Sequence, residues 1–487
     1  LQFEKRQIAS ESFESVAVFD VDGDGQLDIV SGAYWYEGPD FLNRHYMADV
    51  ERHGEYWDDF LTLPMDINGN GRLDVVVGGW FSQNLRWLEN PGNNSRWTEH
   101  VIDQTGNVEA ARAWDVDGDG YLEVVPNNPN DPLKVYKLER DADGSPTGSF
   151  TKIPIADVRG HGLGFGDVNG DGREDILVIG FPGQEAWWFE NTGDAAEYWP
   201  RHLIQPQVDN ESPAFVDLDG DGLPEMIFHR DGYVGYASMP EGDPTEPWPF
   251  TAISEQRDLG HFTHGLGVGD ISGNGYMDFM MADGWWENPG TLWDGVTPWP
   301  FHPFDFAPGG AQMHAYDLDG DGLNDVITSL DAHGWGLAWY RQIRNGGEIT
   351  FERNLIMGEH HEDNPYGVRF SQPHSVALAD MDNSGTKSIL TGKRWWAHGP
   401  DGDHEPNAPA VIYWFKPQPE TDGNVDFIPY LIDDDSGSGV DIVTGDLTGN
   451  GYPDIVTCNK RGAFIFFNQP EQVTRREWEE AQPGRIH

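Results

Sequence analysis

The fold of this chain is decided by one stretch of sequence, Asp20-Val21-Asp22-Gly23-Asp24-Gly25-Gln26-Leu27-Asp28. It places carboxylates at positions 1, 3, 5 and 9 of a tight turn, with glycines at positions 4 and 6 that tolerate positive φ. Such a turn offers the several oxygen ligands that Ca²⁺ takes at about 2.3–2.6 Å. An EF-hand would close with Glu at position 12 and lie between helices, whereas here a β-type run follows the acid directly. The stretch therefore predicts a calcium loop between two β-strands.

The same loop occurs nine times along the chain, at intervals of 46 to 66 residues. The further copies start at Asp66, Asp115, Asp167, Asp217, Asp270, Asp317, Asp380 and Asp446. A repeat of about 50 residues is typical of one four-stranded propeller blade. We therefore predict an all-β chain that forms a single β-propeller of four-stranded blades over residues 1–469, followed by a C-terminal tail over 470–487. Nine blades are favoured, and seven or eight remain open.

The strands of the repeats carry further expectations. The last repeat lacks an outer strand, and residues 3–8 at the N-terminus are expected to supply it and to close the last blade. The tryptophans that recur in the third strands are expected to form core between blades rather than a sugar-stacking surface. Cys458, the single cysteine, lies in an apolar strand and is expected to be a small core residue.

The loops differ in their number of acidic side chains, so we expect them to differ in calcium binding. The loops at Asp270, Asp380 and Asp446 carry Ser, Asn or Thr at several ligand positions, and a hydrogen-bonded turn without an ion is the alternative there. The predicted ligands are Asp20, Asp22, Asp24 and Asp28; Asp66, Asn68, Asn70 and Asp74; Asp115, Asp117, Asp119 and Glu123; Asp167, Asn169, Asp171 and Asp175; Asp217, Asp219, Asp221 and Glu225; and Asp317, Asp319, Asp321 and Asp325.

The composition restricts the partners of the chain. Its formal net charge is −53 with 30 basic residues, so no basic patch is available to neutralise nucleic-acid phosphates. An acidic surface of this density favours solubility at high salt and indicates a salt-adapted or marine source. No apolar run reaches the length of a membrane span. The start at Leu1 suggests a removed signal peptide, and low-affinity calcium loops fill where calcium is millimolar. We expect a secreted, extracellular or periplasmic protein.

A polar position recurs six residues before several loop aspartates. It is occupied by Glu109, His161, Glu211, His264 and His374, and in a propeller it lies at the mouth of the central channel. In one interpretation these residues cap strand ends near solvent. In the other, the three histidines converge on a substrate or on a metal such as Zn²⁺ or Ca²⁺, with a glutamate as acid or base. The sequence therefore predicts a candidate site at the channel mouth.

Polar loops are expected to rise on the same face as this position. Lys393 and Arg394 would form a local positive pocket for a carboxylate or an enolate oxygen, with a surface ion pair as the alternative. The expected substrate-binding residues on these loops are Arg230, His333, Tyr366, Arg369 and His398.

The loops resemble the FG-GAP/VCBS calcium repeats of integrin-like propellers over nearly the whole chain. The stretches His264-Gly265-Leu266-Gly267-Val268-Gly269-Asp270, Trp285-Trp286-Glu287, 315–322 and 391–395 further resemble the propeller of aldos-2-ulose dehydratase-like proteins. Propeller-type polysaccharide lyases are a related resemblance. The chain departs from these proteins in having no cupin-like extension and more than seven repeats.

The resemblance implies β-elimination on a sugar, with His264, Lys393 and Arg394 at matching positions. We therefore expect a secreted carbohydrate-active carbon–oxygen lyase or dehydratase that acts on a uronate-containing glycan or a keto-sugar. The alternative is a non-catalytic calcium propeller that binds glycan or protein. A hydrolase that uses Glu109 and Glu211 as paired carboxylates is a third hypothesis.

Overall fold

A computed structural model describes the chain except for a set of positions. These are 10, 12, 14, 55, 159–161, 194–197, 219, 221, 222, 241, 264, 291–297, 308, 309, 311, 421–423, 440, 441 and 487, together with the side chains of 9, 162, 163 and 210–213. The described residues form two units. The larger unit comprises 1–10, 210–236 and 251–487, and the smaller unit comprises 11–209 and 237–250.

Short β-strands make up nearly all the regular structure of the described residues. The first strands are β1 (Gln2–Ala9), β2 (Ala17–Phe19), β3 (Asp28–Ser31), β4 (Tyr34–Tyr36), β5 (Arg44–Tyr46), β6 (Arg52–His53), β7 (Tyr56–Trp57), β8 (Leu61–Met65), β9 (Asp74–Gly78), β10 (Leu85–Glu89), β11 (Thr98–Asp103), β12 (Ala110–Trp114), β13 (Glu123–Asn127), β14 (Leu133–Arg140), β15 (Pro146–Ala156), β16 (Gly162–Gly166), β17 (Asp175–Ile179), β18 (Gln184–Phe189) and β19 (Arg201–Val216).

The remaining elements continue the same pattern to the C-terminus. They are β20 (Glu225–Arg230), β21 (Tyr233–Ala237), β22 (Phe250–Ala252), β23 (Gly267–Gly269), β24 (Asp278–Met281), β25 (Gly284–Trp286), β26 (Phe301–Pro303), β27 (Met313–Tyr316), β28 (Asp325–Ser329), β29 (Leu337–Asn345), β30 (Glu348–Met357), a 3-10 turn (His361–Asp363), β31 (Val376–Ala379), β32 (Ser388–Gly392), β33 (Ile412–Pro419), β34 (Val425–Asp433), β35 (Val443–Gly445), β36 (Asp454–Asn459), β37 (Gly462–Gln469) and α1 (Arg475–Glu480).

Consecutive strands pair into four-stranded antiparallel sheets, as expected for propeller blades. In the smaller unit these sheets are β2-β3-β4-β5, β8-β9-β10-β11 and β12-β13-β14-β15, and β6 pairs with β7. In the larger unit they are β23-β24-β25-β26, β27-β28-β29-β30 and β31-β32-β33-β34. Strand β19 is long and takes part in two successive sets, β16-β17-β18-β19 and β19-β20-β21-β22. Each acidic loop therefore joins the first strand of a set to the second.

The N-terminal strand completes the last sheet, whose order is β1-β37-β36-β35. Gln2 lies opposite Gln469, and Lys5 lies opposite Phe466. The predicted pairing of residues 3–8 with the last repeat is thus confirmed. Strand β37 therefore pairs with β36 on one side and with β1, from the other end of the chain, on the other side, so it has no open edge.

The third strands provide much of the core, as predicted. Trp35, Trp87, Trp188 and Trp285 are all buried. The prediction for Cys458 was wrong, because its side chain is exposed. Alternate residues of a strand face opposite sides of the sheet, and the neighbouring Thr457 takes the buried side.

Buried amide side chains join successive sheets. Asn90, at the end of the third strand β10, donates its side-chain amide to the carbonyl oxygens of Val21 (2.8 Å) and Leu73 (3.1 Å). Val21 belongs to the acidic loop of the preceding sheet, and Leu73 to that of the same sheet. The equivalent pairs with the preceding loop are Asn191 with Val116, Asn288 with Leu218, Gln342 with Ile271 and Asn468 with Met381. These bonds position each loop relative to the next sheet within its unit.

Candidate functional site

The side-chain carboxylate of the first aspartate in each loop accepts backbone N–H groups of the same turn and so fixes its shape. The carboxylate of Asp20 accepts the N–H groups of Gly23 (2.7 Å), Asp24 (3.1 Å) and Gly25 (2.9 Å). Gly23 and Gly25 have φ of 83° and 88°, which glycine adopts without a steric penalty. The carboxylates of Asp22 and Asp24 each accept one further N–H of the turn, from Asp24 (3.1 Å) and Gln26 (2.7 Å).

The acid at position 9 has a structural function in addition to the predicted metal ligation. Asp74 is buried; its Oδ2 accepts the N–H of Ile67 (3.0 Å) and its Oδ1 the N–H of Asn90 (2.8 Å). Burial raises the pKa of Asp74 to about 6. The same cause raises the pKa of Asp175, Asp278 and Asp325 to about 6 and that of Glu123 to about 7.

The oxygen atoms of the loops fit a divalent cation. In three loops, three acidic side chains each place one oxygen within 4.8 Å of the others. Hard cations such as Ca²⁺ take ligands of this kind. The three groups are Asp20, Asp22 and Asp28; Asp115, Asp117 and Glu123; and Asp317, Asp319 and Asp325. Asp219 and Asp221 of the predicted ligand set lie outside the described residues.

Three histidines come together in the larger unit. The ring of His333 lies 5.4 Å from that of His374 and 4.7 Å from that of His398, measured between centroids. They come from three separate segments: the turn after β28, the segment before β31 and the long loop after β32. The sequence had placed His374 at the channel mouth and the other two on neighbouring loops. We call His333, His374 and His398 the histidine cluster.

A buried lysine supports the loop that carries His398. Lys393 is fully buried, and its Nζ donates to Ser371 Oγ (2.5 Å) and to the carbonyl oxygen of His404 (3.0 Å). Burial lowers its pKa, against the negative charges of Asp403 and Glu405. The predicted positive pocket is therefore not formed by Lys393, because burial and these two bonds hold its ammonium inside the loop.

The rest of the long loop is tied to the same segments. Asp403 accepts the N–H groups of Ala397 (2.9 Å) and His398 (2.7 Å). Arg369 forms an ion pair with Glu405. Gln372 donates its side-chain amide to the carbonyl oxygen of His333 (2.7 Å). The loop that carries His398 and the turn that carries His333 are thus each held by polar contacts.

Two tryptophans closely precede His398 of the histidine cluster in the sequence of this loop. Trp395 and Trp396 stack with centroids 4.7 Å apart and planes at 26°, and both are partly exposed. Arg461 lies over the ring of Trp395 at 5.0 Å, and the indole N–H of Trp396 donates to the carbonyl oxygen of Pro406 (2.9 Å). The pair is therefore held in place while part of its aromatic surface faces solvent.

The remaining site residues that the sequence predicted lie in other parts of the structure. Tyr366 donates its hydroxyl to Asp426 (2.6 Å) and lies under Arg485 of the C-terminal tail. Its hydroxyl is therefore already hydrogen-bonded to the carboxylate of Asp426. Arg230 lies at the end of β20 with its Nε 4.0 Å from Asp231. Glu109 precedes β12 in the smaller unit, and its backbone N–H donates to Asn127 (3.4 Å). His161, His264 and the side chain of Glu211 lie outside the described residues.

Sequence reasoning missed several residues of this region. Ser371 and Gln372 contact the loop that carries Lys393 and His398, and Asp403 and His404 form hydrogen bonds within that loop. The insertion of residues between Lys393 and β33, relative to the earlier repeats, was the available signal. An insertion that is rich in His, Trp and Asp at a strand end is a common place for a binding loop.

Comparison with known families agrees with this architecture. The FG-GAP-like repeat family matches residues 66–125 and 167–228, which contain the loops at Asp66, Asp115, Asp167 and Asp217. The chain carries FG-GAP-like repeats over these residues, and its four-stranded antiparallel sheets are consistent with the blades of a β-propeller. No curated protein matches the chain significantly. Among the described residues of this FG-GAP-repeat chain, no helix has the length and apolar character that crossing a membrane requires.

Three solved structures that are similar to this chain are distant from it in sequence. An Agrocybe aegerita lectin, described as recognising non-reducing terminal N-acetylglucosamine, is 16% identical, with 71% of this chain and 90% of the lectin covered and a TM-score of 0.35. The V. cholerae biofilm matrix protein Bap1 is 12% identical, with 98% and 89% covered and a TM-score of 0.40. Saccharomyces cerevisiae Sqt1 is 8% identical, with 85% and 99% covered and a TM-score of 0.43. Function must therefore be argued from the site itself.

Proposed function

We propose that this chain is a secreted calcium-stabilised propeller that binds carbohydrate at the histidine cluster. The observation that carries the proposal is the stacked, partly exposed pair of Trp395 and Trp396 on the loop that also bears His398. Ligand sites combine aromatic surface with a few fixed polar groups that set orientation. A sugar ring offers C–H faces to an indole and hydroxyl groups to imidazole nitrogens, so it matches this combination.

The charge of the chain favours a neutral ligand over a polyanion. The net charge of −53 repels an acidic polysaccharide at low ionic strength, and this repulsion is screened only as salt rises. Arg369 is already paired with Glu405, and Lys393 is buried. A neutral glycan, or a short oligosaccharide with one acidic group, therefore fits the region better than a polyuronate.

In this proposal calcium serves the fold rather than the ligand. Asp20, Asp22 and Asp28 would hold an ion between β2 and β3, in the smaller unit. Calcium there would neutralise carboxylates that otherwise repel one another. The contact with sugar would fall to the side chains of the histidine cluster and the tryptophan pair.

The binding proposal is tested by glycan-array screening followed by calorimetric titration of the best ligand. Trp396→Ala and His333→Ala are expected to weaken binding at least tenfold. Trp478→Ala is the matched control, because Trp478 is 51% exposed on α1 and should leave affinity unchanged. Thermal melting of each variant shows whether it is folded. Unchanged affinity in both site variants would contradict the proposed position of the site.

A second candidate function is β-elimination at the same cluster, and the three neighbouring imidazoles favour it. An imidazole with a pKa near neutrality can accept the proton from the carbon next to a carboxylate or carbonyl. The bond from the β-carbon to the leaving oxygen then breaks as the double bond forms, and a second imidazole protonates that oxygen. His374 and His333 would share these two functions.

Ultraviolet absorbance separates the two candidates. Elimination leaves an unsaturated uronate or an enone, whose absorbance rises during incubation with uronate polysaccharides or keto-sugars. A rise that is lost in both His374→Ala and His333→Ala would favour the lyase. A rise that survives in both variants would exclude the cluster as its site, and His264→Ala would then test the other predicted histidine. Saturable binding without any rise would favour the binding protein.

A further inference from the structure

One position, on or directly after the third strand of a sheet, lies next to the acidic loop. The first residue after loop position 9 lies on the second strand and pairs with a residue of the third strand. The position is the residue directly after that partner. In the sheet of the Asp115 loop, Val124 pairs with Tyr136, so the position is Lys137. By the same register it is Arg341 in the Asp317 sheet and Lys416 in the Asp380 sheet.

Lys137 reaches the carboxylates of its own loop. Its Nζ contacts Asp117 Oδ2, lies 2.7 Å from Asp119 Oδ2 and lies 3.7 Å from Glu123 Oε1. These three side chains occupy positions 3, 5 and 9, which the sequence assigned to calcium. The ammonium therefore lies among the oxygens that a divalent cation would need.

The other two basic residues repeat this arrangement. Arg341 Nε lies 2.7 Å from Asp319 Oδ2, and its Nη2 lies 3.6 Å from Asp321 Oδ2. Lys416 contacts Asp382, which is position 3 of the Asp380 loop. Positions 3 and 5 are thus bound by a cation from the third strand in two loops, and position 3 in the third.

Four other sheets carry glutamate at the same position. Each glutamate binds a histidine of the fourth strand, and each histidine ring packs on a buried tryptophan. The pairs are Glu37 with His45 (2.9 Å), Glu89 with His100 (2.9 Å), Glu190 with His202 (3.1 Å) and Glu287 with His302 (3.0 Å). The tryptophans are Trp35, Trp87, Trp188 and Trp285, with ring centroids 4.2, 4.2, 4.5 and 4.2 Å from the histidine rings. Seven sheets therefore fall into two classes, whereas in the sheet of the Asp446 loop the position is Phe467.

We propose that Lys137, Arg341 and Lys416 act as built-in cations that replace calcium in the loops at Asp115, Asp317 and Asp380. Calcium requires six to eight oxygen ligands, and the basic side chain in each of these loops binds oxygens from that set. Two positive charges compete for the same carboxylates, and the tethered one loses less freedom on binding. The Asp20 loop has four acids and Glu37 at the equivalent position, so it takes the ion instead.

Calcium stoichiometry tests this inference directly. The protein is dialysed against a fixed free calcium concentration, and bound calcium per chain is measured by elemental analysis. Lys137→Met and Arg341→Met are each expected to bind one additional calcium. Lys5→Met is the matched control, because Lys5 pairs with Asp433 away from the acidic loops, and its stoichiometry should equal that of the unmodified chain.

Variants of the loops themselves provide the converse test. Asp22→Asn is expected to lose one calcium, whereas Asp117→Asn in the unmodified chain should lose none. In the Lys137→Met background, Asp117→Asn should remove the additional ion. Loss of one calcium from Asp117→Asn alone, or unchanged stoichiometry in folded Lys137→Met and Arg341→Met, would overturn the inference.

This inference rests in part on the proposal that the Asp20 loop binds calcium, and the same data separate the two. An unmodified chain without calcium, together with a gain in Lys137→Met, would contradict only the calcium-bound Asp20 loop. Melting temperature gives a second measurement. Lys137→Met should be less stable than the unmodified chain in chelator and should recover when calcium is added. If calcium leaves the melting temperature of Lys137→Met unchanged, the result would contradict the role of Lys137 as a built-in cation.

Discussion

Asn90 donates its side-chain amide to the carbonyl oxygen of Val21, 2.8 Å away, and thereby joins two sheets that are consecutive in the chain. The same side chain bonds Leu73, and the Asn90 backbone N–H bonds the buried Asp74. One amide thus connects the loop of its own sheet to the loop of the preceding one.

Replacing Asn90 by leucine is expected to destabilise the protein by about 2–3 kcal/mol. The change leaves two buried carbonyl oxygens without their donor, and unpaired buried acceptors carry a desolvation cost. Urea unfolding followed by tryptophan fluorescence measures the difference. Asn93→Leu is the matched control, because Asn93 is exposed in the same turn and should change stability by no more than about 0.5 kcal/mol. Equal midpoints for the two variants would contradict the importance of the amide.

Asp59 is expected to make the smaller unit less stable as pH rises. Burial raises its pKa to about 7, above the ordinary value of 3.8 that applies when the chain is unfolded. The folded state then holds a proton that the unfolded state has lost, so stability falls from about pH 4 to about pH 7 and levels off above it. Asp59→Asn removes this slope and should be more stable than the unmodified chain at pH 8, on the order of 2–4 kcal/mol.

Chemical denaturation at pH 4.5 and pH 8 measures this effect. Asp58→Asn is the matched control, because the Asp58 carboxylate accepts the N–H groups of Phe81 (2.8 Å) and Ser82 (2.8 Å). It should lose about 1 kcal/mol at pH 8 rather than gain stability. A destabilised Asp59→Asn at pH 8 would contradict the prediction, because it would show that the folded state stabilises the ionised carboxylate of Asp59 instead of raising its pKa.

Lys393→Met is expected to lower stability by about 1–3 kcal/mol, because Ser371 Oγ and the His404 carbonyl oxygen lose a buried donor. The change should also increase hydrogen exchange in the loop around Asp403. Lys152→Met provides a comparison, since Lys152 forms an exposed ion pair with Asp103 (2.9 Å) of the kind that contributes little. Unaltered exchange in the loop would mean that Lys393 does not hold it.

Chelation of calcium is expected to lower the melting temperature. A ligand that binds only the folded state stabilises it by about 2.7 kcal/mol per site at one hundred times its dissociation constant. Melting curves over a calcium titration measure the effect, and magnesium is the control ion, because it requires a stricter octahedral geometry. Asp22→Asn should reduce the response. Identical curves in chelator and in millimolar calcium would contradict a structural role for the ion.

The repeated pattern determined much of the architecture from sequence alone. The acidic loop marked the link between first and second strands, and the buried Trp35, Trp87, Trp188 and Trp285 marked the third strands. The shortened last repeat predicted the pairing of β1 with β37. These features are readable because turn geometry and strand alternation depend on residues that are close together in the chain.

The tertiary structure decided which side chains meet. His333, His374 and His398 lie on separate segments, and their ring distances depend on how three loops pack. No local sequence pattern predicted the burial of Lys393 or the short distance between Lys137 and Asp119. A repeat identifies the acids of a loop, but the strand register determines which basic residue reaches them. Sequence therefore predicted the ligand atoms, and only the packing of the third strand against each loop decided which cation they face.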